Sequence, residues 1–247
     1  MELKGRKVLI TGASRGIGAA LAELLAAEGA ELILVGRDET RLKKQAQRLA
    51  SPTVSMAAEL SRPGETHGLV ERTMREHPDL AVLVNNAAVQ TEMDFASGSD
   101  DSLADDSRAE IAINLAAPVT ITAGLIPLLR QQPRAVVMNV TTALALAPKQ
   151  AAPVYCATKS GLRSFTRALR YQCEDAAPNL RICETIMALV DTDMTRGRGR
   201  GKISPHKAAE AIAAGIVTER AETWVGKARL LPLLNHLSPA LVRRMLR

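Results

Sequence analysis

Aromatic residues are scarce: one tryptophan, two tyrosines and two phenylalanines in 247 positions. Modules that stack nucleic-acid bases rely on such rings, and neither their motifs nor a zinc-finger spacing occurs here. The net charge of +6 therefore does not argue for nucleic acid. Its basic residues are spread along the chain, and an anionic ligand accounts for part of it. Cysteine is equally sparse. Cys156, Cys173 and Cys183 are odd in number and lack CxxC spacing, which argues against a disulfide framework and a zinc site. No run approaches the ~18 uninterrupted apolar residues of a membrane span. The opening MELKGRKVLITG has a strand pattern where a signal peptide would need an apolar run and a small-residue cleavage site. These absences point to a reduced, cytoplasmic protein.

What is present is alternation. Short β-branched runs at Lys7–Thr11, Glu31–Val35, Thr53–Ala57, Leu80–Val84, Arg134–Val140 and Leu180–Met187, with a seventh at Glu222–Gly226, are separated by helix-period stretches. Those stretches include Ile17–Glu28, Glu39–Ala50 and Thr66–His77. The pattern predicts an α/β fold of one domain over 1–247: a doubly wound, mostly parallel seven-stranded sheet with helices on both faces. Ligands of such sheets bind at the carboxyl ends of the strands, where the winding reverses.

The first strand runs into TGASRGIG, Thr11–Gly18, and then into a helix. Gly12 permits a tight turn, while Gly16 and Gly18 let a pyrophosphate approach a helix N-terminus whose free N–H groups and dipole favour anions. That placement predicts dinucleotide binding by the loop, with Ser14 and Ile17 among its contacts. A carboxylate ending the second strand would select NAD through the ribose 2′-OH. Here Gly36 and Arg37 stand there, and Arg15 lies in the loop. Two guanidiniums suit a 2′-phosphate, so the expected cofactor is NADP(H). In YCATK, Tyr155 and Lys159 are four apart on one helix face. A neighbouring ammonium favours a phenolate, which makes the pair a general acid/base.

TGASRGIG, the NNAA of Asn85–Ala88, Asn114, VVMNVTT and YCATK follow one another as in the short-chain dehydrogenase/reductase family, which the chain resembles over nearly its whole length. The resemblance implies oxidoreduction between a carbonyl and an alcohol by a tetrad of Asn114, Thr142, Tyr155 and Lys159. Threonine stands at 142 where the family has serine; it keeps the hydroxyl but stiffens χ1 and narrows the space beside the reacting carbon. By the same resemblance Asn114 holds a water leading from Lys159 to solvent. Glu59, in place of the usual aspartate, and Leu60 bracket adenine. Asn86 and Ala87 meet the adenosine-side ribose, and Val190 and Thr192 the carboxamide. Met187–Ala188 replace the usual Pro–Gly. Homo-oligomerisation is also implied. The NNAAVQ segment and the chain end resemble a bacterial subgroup related to the oxidoreductase of the D-alanyl-lipoteichoic acid operon.

Ala143–Pro148, Ala152–Val154 and the residues after Ala188 are expected to line a pocket for an apolar small molecule. A short lid at about 193–205 carries Arg196, Arg198, Arg200 and Lys202 between glycines; its charges either clamp an anion or face water. Pro232 and Pro239 predict short helices in a C-terminal extension at about 228–247. The competing functions are a catalytically silent NADP-binding regulator and a membrane- or polymer-associated protein acting through the basic tail.

Overall fold

A computed structural model describes residues 1–97, 102–238 and 240. Seven strands form one parallel sheet: β1 Lys7–Thr11, β2 Glu31–Gly36, β3 Thr53–Ala57, β4 Leu80–Asn85, β5 Ala135–Thr142, β6 Leu180–Met187 and β7 Glu222–Trp224. Their spatial order is β3-β2-β1-β4-β5-β6-β7. The chain winds outward from β1 to β3, then returns to the other side of β1, so the winding reverses between β1 and β4. Strands β4 and β5 are buried along their whole length, as expected of central parallel strands covered on both faces.

One face carries α1 Gly16–Ala27, α2 Glu39–Ala46 and α7 Pro205–Thr218, whose Leu21, Leu25, Leu42 and Ile212 share a core with Val8, Ile10 and Val82. The other carries α3 Pro63–Glu76, α5 Ala117–Leu129 and α6 Pro153–Ala176, with Leu69, Ile121, Leu125 and Leu169 packed on Leu9, Ile33 and Leu83. Helix α4, Leu103–Ile111, continues through a π-helical turn at Ala112–Ala116 into α5. The resulting run, Leu103–Leu129, is 27 residues long and apolar enough to cross a membrane by length and composition. Asn114, Pro118, Thr120 and Thr122 interrupt it in sequence. In the fold Ile121, Leu125 and Leu129 are wholly buried, so it is a core helix of the sheet's second face.

The expected strands all form, and the boundary differences have local causes. Helix α3 begins at Pro63, three residues earlier than expected, because proline suits the first helical position. Helix α2 stops at Ala46 rather than Ala50. Arg48 and Leu49 donate to carbonyls three residues back, tightening the turn ahead of Pro52. Strand β7 ends at Trp224 because Gly226 takes φ +57 and starts a 3-10 turn. The C-terminal extension is helical at Gly226–Leu230 (3-10) and in α8, Leu231–Leu237. The second short helix expected after Pro239 lies outside the described residues.

Candidate active site

A cavity of about 490 Å³ opens over the carboxyl ends of the strands and runs from the β1–α1 loop to the segment after β6. Every residue expected to bind cofactor lines it, as do Thr142, Tyr155 and Lys159; Asn114 does not.

The glycines of the loop follow from its packing. Gly12 adopts φ +68, and a Cβ there would stand 2.8 Å from Ala87 Cα; at Gly18 it would lie 2.2 Å from the Gly12 carbonyl. Side chains at these places would drive the loop off the β4 end. Asn86 binds it from beneath, donating from Nδ2 to Thr11 O at 2.8 Å and Gly12 O at 3.3 Å. The Thr11 hydroxyl accepts from the Asn86 and Ala87 amides, each at 3.0 Å. Arg15, the residue capping α1, makes no side-chain cap, so the first amides of that helix face the cavity. This cradle fits the pyrophosphate of a dinucleotide.

At the end of β2, Arg37 is exposed and makes no ion pair among the described residues. Asp38, the nearest acid, is already engaged: it caps α2 through Arg41 N at 2.9 Å and meets Arg41 Nε at 3.1 Å. Arg15 lies 3.6 Å from Asp193 in an exposed pair. Glu59 folds its carboxylate onto Ser61 N at 3.2 Å and Ser61 Oγ at 3.0 Å. Val190 bridges to Ile203, and Thr192 caps the 3-10 turn that follows it.

On the opposite wall α6 presents Tyr155, Lys159 and Arg163 at successive helical turns. Lys159 is buried, and its ammonium donates to Val140 O at 2.9 Å. Desolvation lowers its pKa to about 8, opposed by the carboxylates of Glu184 and Glu110. Tyr155 is partly exposed to the cavity, yet the protein packed around it pushes the phenol above its ordinary value, with contributions from Cys156 and Glu110. In the protein alone burial wins, and the ammonium is held by the β5 backbone.

Thr142 ends β5 with its hydroxyl 3.4 Å from Met187 O while accepting from Leu144 N at 3.3 Å. Both contacts are long, so the hydroxyl can redirect. Thr141 cannot stand in for it, because its hydroxyl is donated to Glu184. Asn114 sits in the π turn, fully buried, and its side chain bonds both the loop after β4 and, from Nδ2 at 3.3 Å, Thr158 Oγ1 on α6. It accepts from Val89 N at 2.9 Å and donates to Val89 O at 2.8 Å. Such turns interrupt the helical ladder and often mark functional sites.

The expected substrate wall is met only in part. Ala143 and Leu144 line the cavity, as do Leu189 and Met194 after β6. Ala152 is instead wholly buried, and Pro153 and Val154 turn away from the cavity because they form the first turn of α6.

Three features escape a reading by motif. Glu110 is fully buried, and among the described residues neither carboxylate oxygen has a partner at full hydrogen-bond geometry, the Thr91 amide facing it without closing such a bond. Desolvation raises it to about 7; the facing Thr91 amide and Lys159 counter this in part, and Asp106 adds to it. Its position one helical turn before Asn114 was the available signal. Glu184, in the middle of buried β6, is held by Arg163 at 2.7 Å, and Arg163 stacks over Trp224 at 5.1 Å. The third is a polar ladder joining β4, β5 and α6: Asn85 Nδ2 to Asn139 Oδ1 at 2.8 Å and Asn139 Nδ2 to Thr166 Oγ1 at 2.8 Å. It seats α6 against the strand carrying Thr142.

A doubly wound sheet with a glycine-rich cradle at its switch point and a Tyr–Lys pair across the cavity defines the dinucleotide-dependent oxidoreductase class. The short chain dehydrogenase family model matches residues 6–202. The chain is 39% identical over 197 residues to the uncharacterized oxidoreductase DltE of Bacillus subtilis, covering 79% of this chain and 76% of that one. A short chain dehydrogenase from Burkholderia cenocepacia in complex with NADP superposes with TM-score 0.84 at 21% identity, over 100% of this chain and 99% of that one. A short chain dehydrogenase/reductase from Burkholderia phymatum in complex with NAD gives 0.86 at 21%, over 98% and 97%. This chain belongs to the short-chain dehydrogenase family, within the subgroup related to DltE.

Proposed function

We propose that the chain is an NADP(H)-dependent oxidoreductase that interconverts a carbonyl and an alcohol on a small, largely apolar molecule. One observation carries this reading: a single cavity joins an uncapped helix N-terminus flanked by Arg15 and Arg37 to a wall bearing Thr142, Tyr155 and Lys159. A bound nicotinamide dinucleotide supplies or accepts the hydride.

The chain's own residues bind, orient and move the proton. The loop Gly12–Gly18, with Ser14, Gly16 and Ile17, holds pyrophosphate, while Arg15 and Arg37 pair with the 2′-phosphate. Glu59 and Leu60 flank the adenine, Asn86 and Ala87 the adjoining ribose, and Val190 and Thr192 the carboxamide. Thr142 donates its hydroxyl to the substrate oxygen, and Tyr155 exchanges the proton with that oxygen. Lys159 holds the second ribose. Asn114, in the π turn, holds a water that leads from Lys159 to solvent. Related folds carry NADP in one case and NAD in another, so the choice of cofactor rests on the two arginines and on the prior engagement of Asp38. The protein acts as one domain, in the cytoplasm, as a homo-oligomer; its three cysteines are free and buried.

Fluorescence titration tests the reading. NADPH is expected to bind at least about tenfold more tightly than NADH, a difference of ~1.4 kcal/mol, and Arg37→Asp to reverse the order by setting a carboxylate against the phosphate. Equal affinities in the unmodified protein would overturn the cofactor assignment. A panel of aldehydes, ketones and alcohols then tests turnover.

A further inference from the structure

The deep wall of the cavity on the substrate side is apolar: Val89, Leu144, Met187, Leu189 and Met194. Its rim is charged. Lys149, from the segment after β5, and Arg198, from the loop after β6, both line the cavity. Glu92, in the segment after β4, stands beside them, and Lys149 Nζ and Arg198 Nε each lie 3.4 Å from the same oxygen, Glu92 Oε1. Two cations thus share one carboxylate, and the rim keeps a net positive charge.

Arg198 is also under-satisfied. Its Nη1 is buried and has no hydrogen-bond partner among the described residues, a costly state for a guanidinium N–H. Two other cations of the loop are already engaged: Arg196 pairs with Asp193, and Lys202 holds Asp191 at 3.1 Å and Thr195 O at 2.7 Å; Arg200 is exposed and does not line the cavity. Three separate loops therefore bring to the mouth of an apolar slot a fork of donors with capacity to spare. Glu92 shows that a carboxylate fits between those donors, and the planar guanidinium can take two carboxylate oxygens at once.

Building on the oxidoreductase reading, we propose that Arg198 and Lys149 bind a carboxylate at the end of the substrate remote from its carbonyl. The substrates are then oxo acids with an apolar spacer, and the products the corresponding hydroxy acids. Glu92 holds the two cations in place and competes with the incoming anion.

Matched probes differing only in that charge test this. Calorimetric titration of the NADPH-loaded protein with 4-(hydroxymethyl)benzoate and with its methyl ester reads binding. Reduction of 4-formylbenzoate and of methyl 4-formylbenzoate reads kcat/KM. The acid is expected to be favoured over the ester by about tenfold in both readouts, with the preference shrinking as salt screens the charge. Arg198→Gln should remove most of the preference, and Glu92→Gln should raise it severalfold by releasing both cations. The opposite signs separate a charge effect from a damaged loop. An acid-to-ester ratio that is the same in parent and both variants overturns the anion site, even if both aldehydes are reduced. Arg198-dependent binding of the acid without consumption of NADPH on either aldehyde leaves the anion site standing and overturns the reductase reading instead.

Discussion

Tyr155 faces opposing demands. In the proposed mechanism it gives up or takes a proton near neutral pH, yet burial pushes its phenol above the ordinary value of about 10. Lys159 is lowered to about 8 and its ammonium is bonded to the β5 backbone, so lowering the phenol is a task the protein does not perform by itself. Tyr155→Phe keeps the ring and removes the only proposed proton donor. It is expected to cut kcat by about 10²–10⁴ while leaving NADPH affinity nearly intact, as steady-state kinetics and titration will read; a fully active variant refutes the role. Thr142 offers a hydroxyl with two long contacts and a neighbour, Thr141, whose own hydroxyl is taken by Glu184. Thr142→Ala should therefore raise the barrier by about 2.7–4 kcal/mol, with Thr142→Ser retaining activity. Parent-like turnover in the alanine variant would remove Thr142 from the mechanism.

At the scale of elements, function depends on how helix ends and strand ends are seated. Helix α1 presents free amides because Gly18 lets it close on Gly12; a Cβ there meets a carbonyl at 2.2 Å. Gly18→Ala must shift either the loop or the helix start. It is expected to weaken NADPH binding by at least about tenfold, seen as loss of the thermal shift the nucleotide produces in the parent. A variant with an undiminished shift would show that the loop tolerates the displacement. On the other wall, α6 is long enough to carry Tyr155 and Lys159 into the cavity and Arg163 to Glu184 on the same face. One helix thus ties the proposed proton donor to a buried ion pair in the sheet.

The whole molecule carries an electrostatic burden near that centre. Among the described residues Glu110 is buried without a partner at full hydrogen-bond geometry, and it titrates at about 7 in the fold, against about 4.3 in an unfolded chain. Its folded value is raised, so between those values the native state holds a proton the unfolded state lacks, and stability falls as pH rises. The loss amounts to roughly 3–4 kcal/mol once pH exceeds the folded value. Glu110→Gln, neutral at every pH, should exceed the parent in urea midpoint by more at pH 8.5 than at pH 5.5, with the two converging only below about pH 4. A difference independent of pH would mean that the carboxylate is ionised and solvated throughout.

Much of this protein is written locally. A parallel α/β chain declares itself through alternation, so all seven strands were legible, and the glycine loop and the Tyr–Lys pair are motifs whose members lie within a few residues of one another. Helix and strand boundaries moved by a few residues, at Pro63, after Ala46 and before Gly226, where a proline, a tightened turn or a left-handed glycine acted. The tertiary structure decided what depends on distance through space. Ala152–Val154 read as pocket wall by their apolar character but are drawn into the start of α6. Glu92, Lys149 and Arg198 belong to three loops and become one rim only when β4, β5 and β6 align. Tyr155 and Glu110 take their ionisation from the density of protein around them. Desolvation and Coulomb interaction follow separation in space and not along the chain, so no spacing in the sequence encodes them.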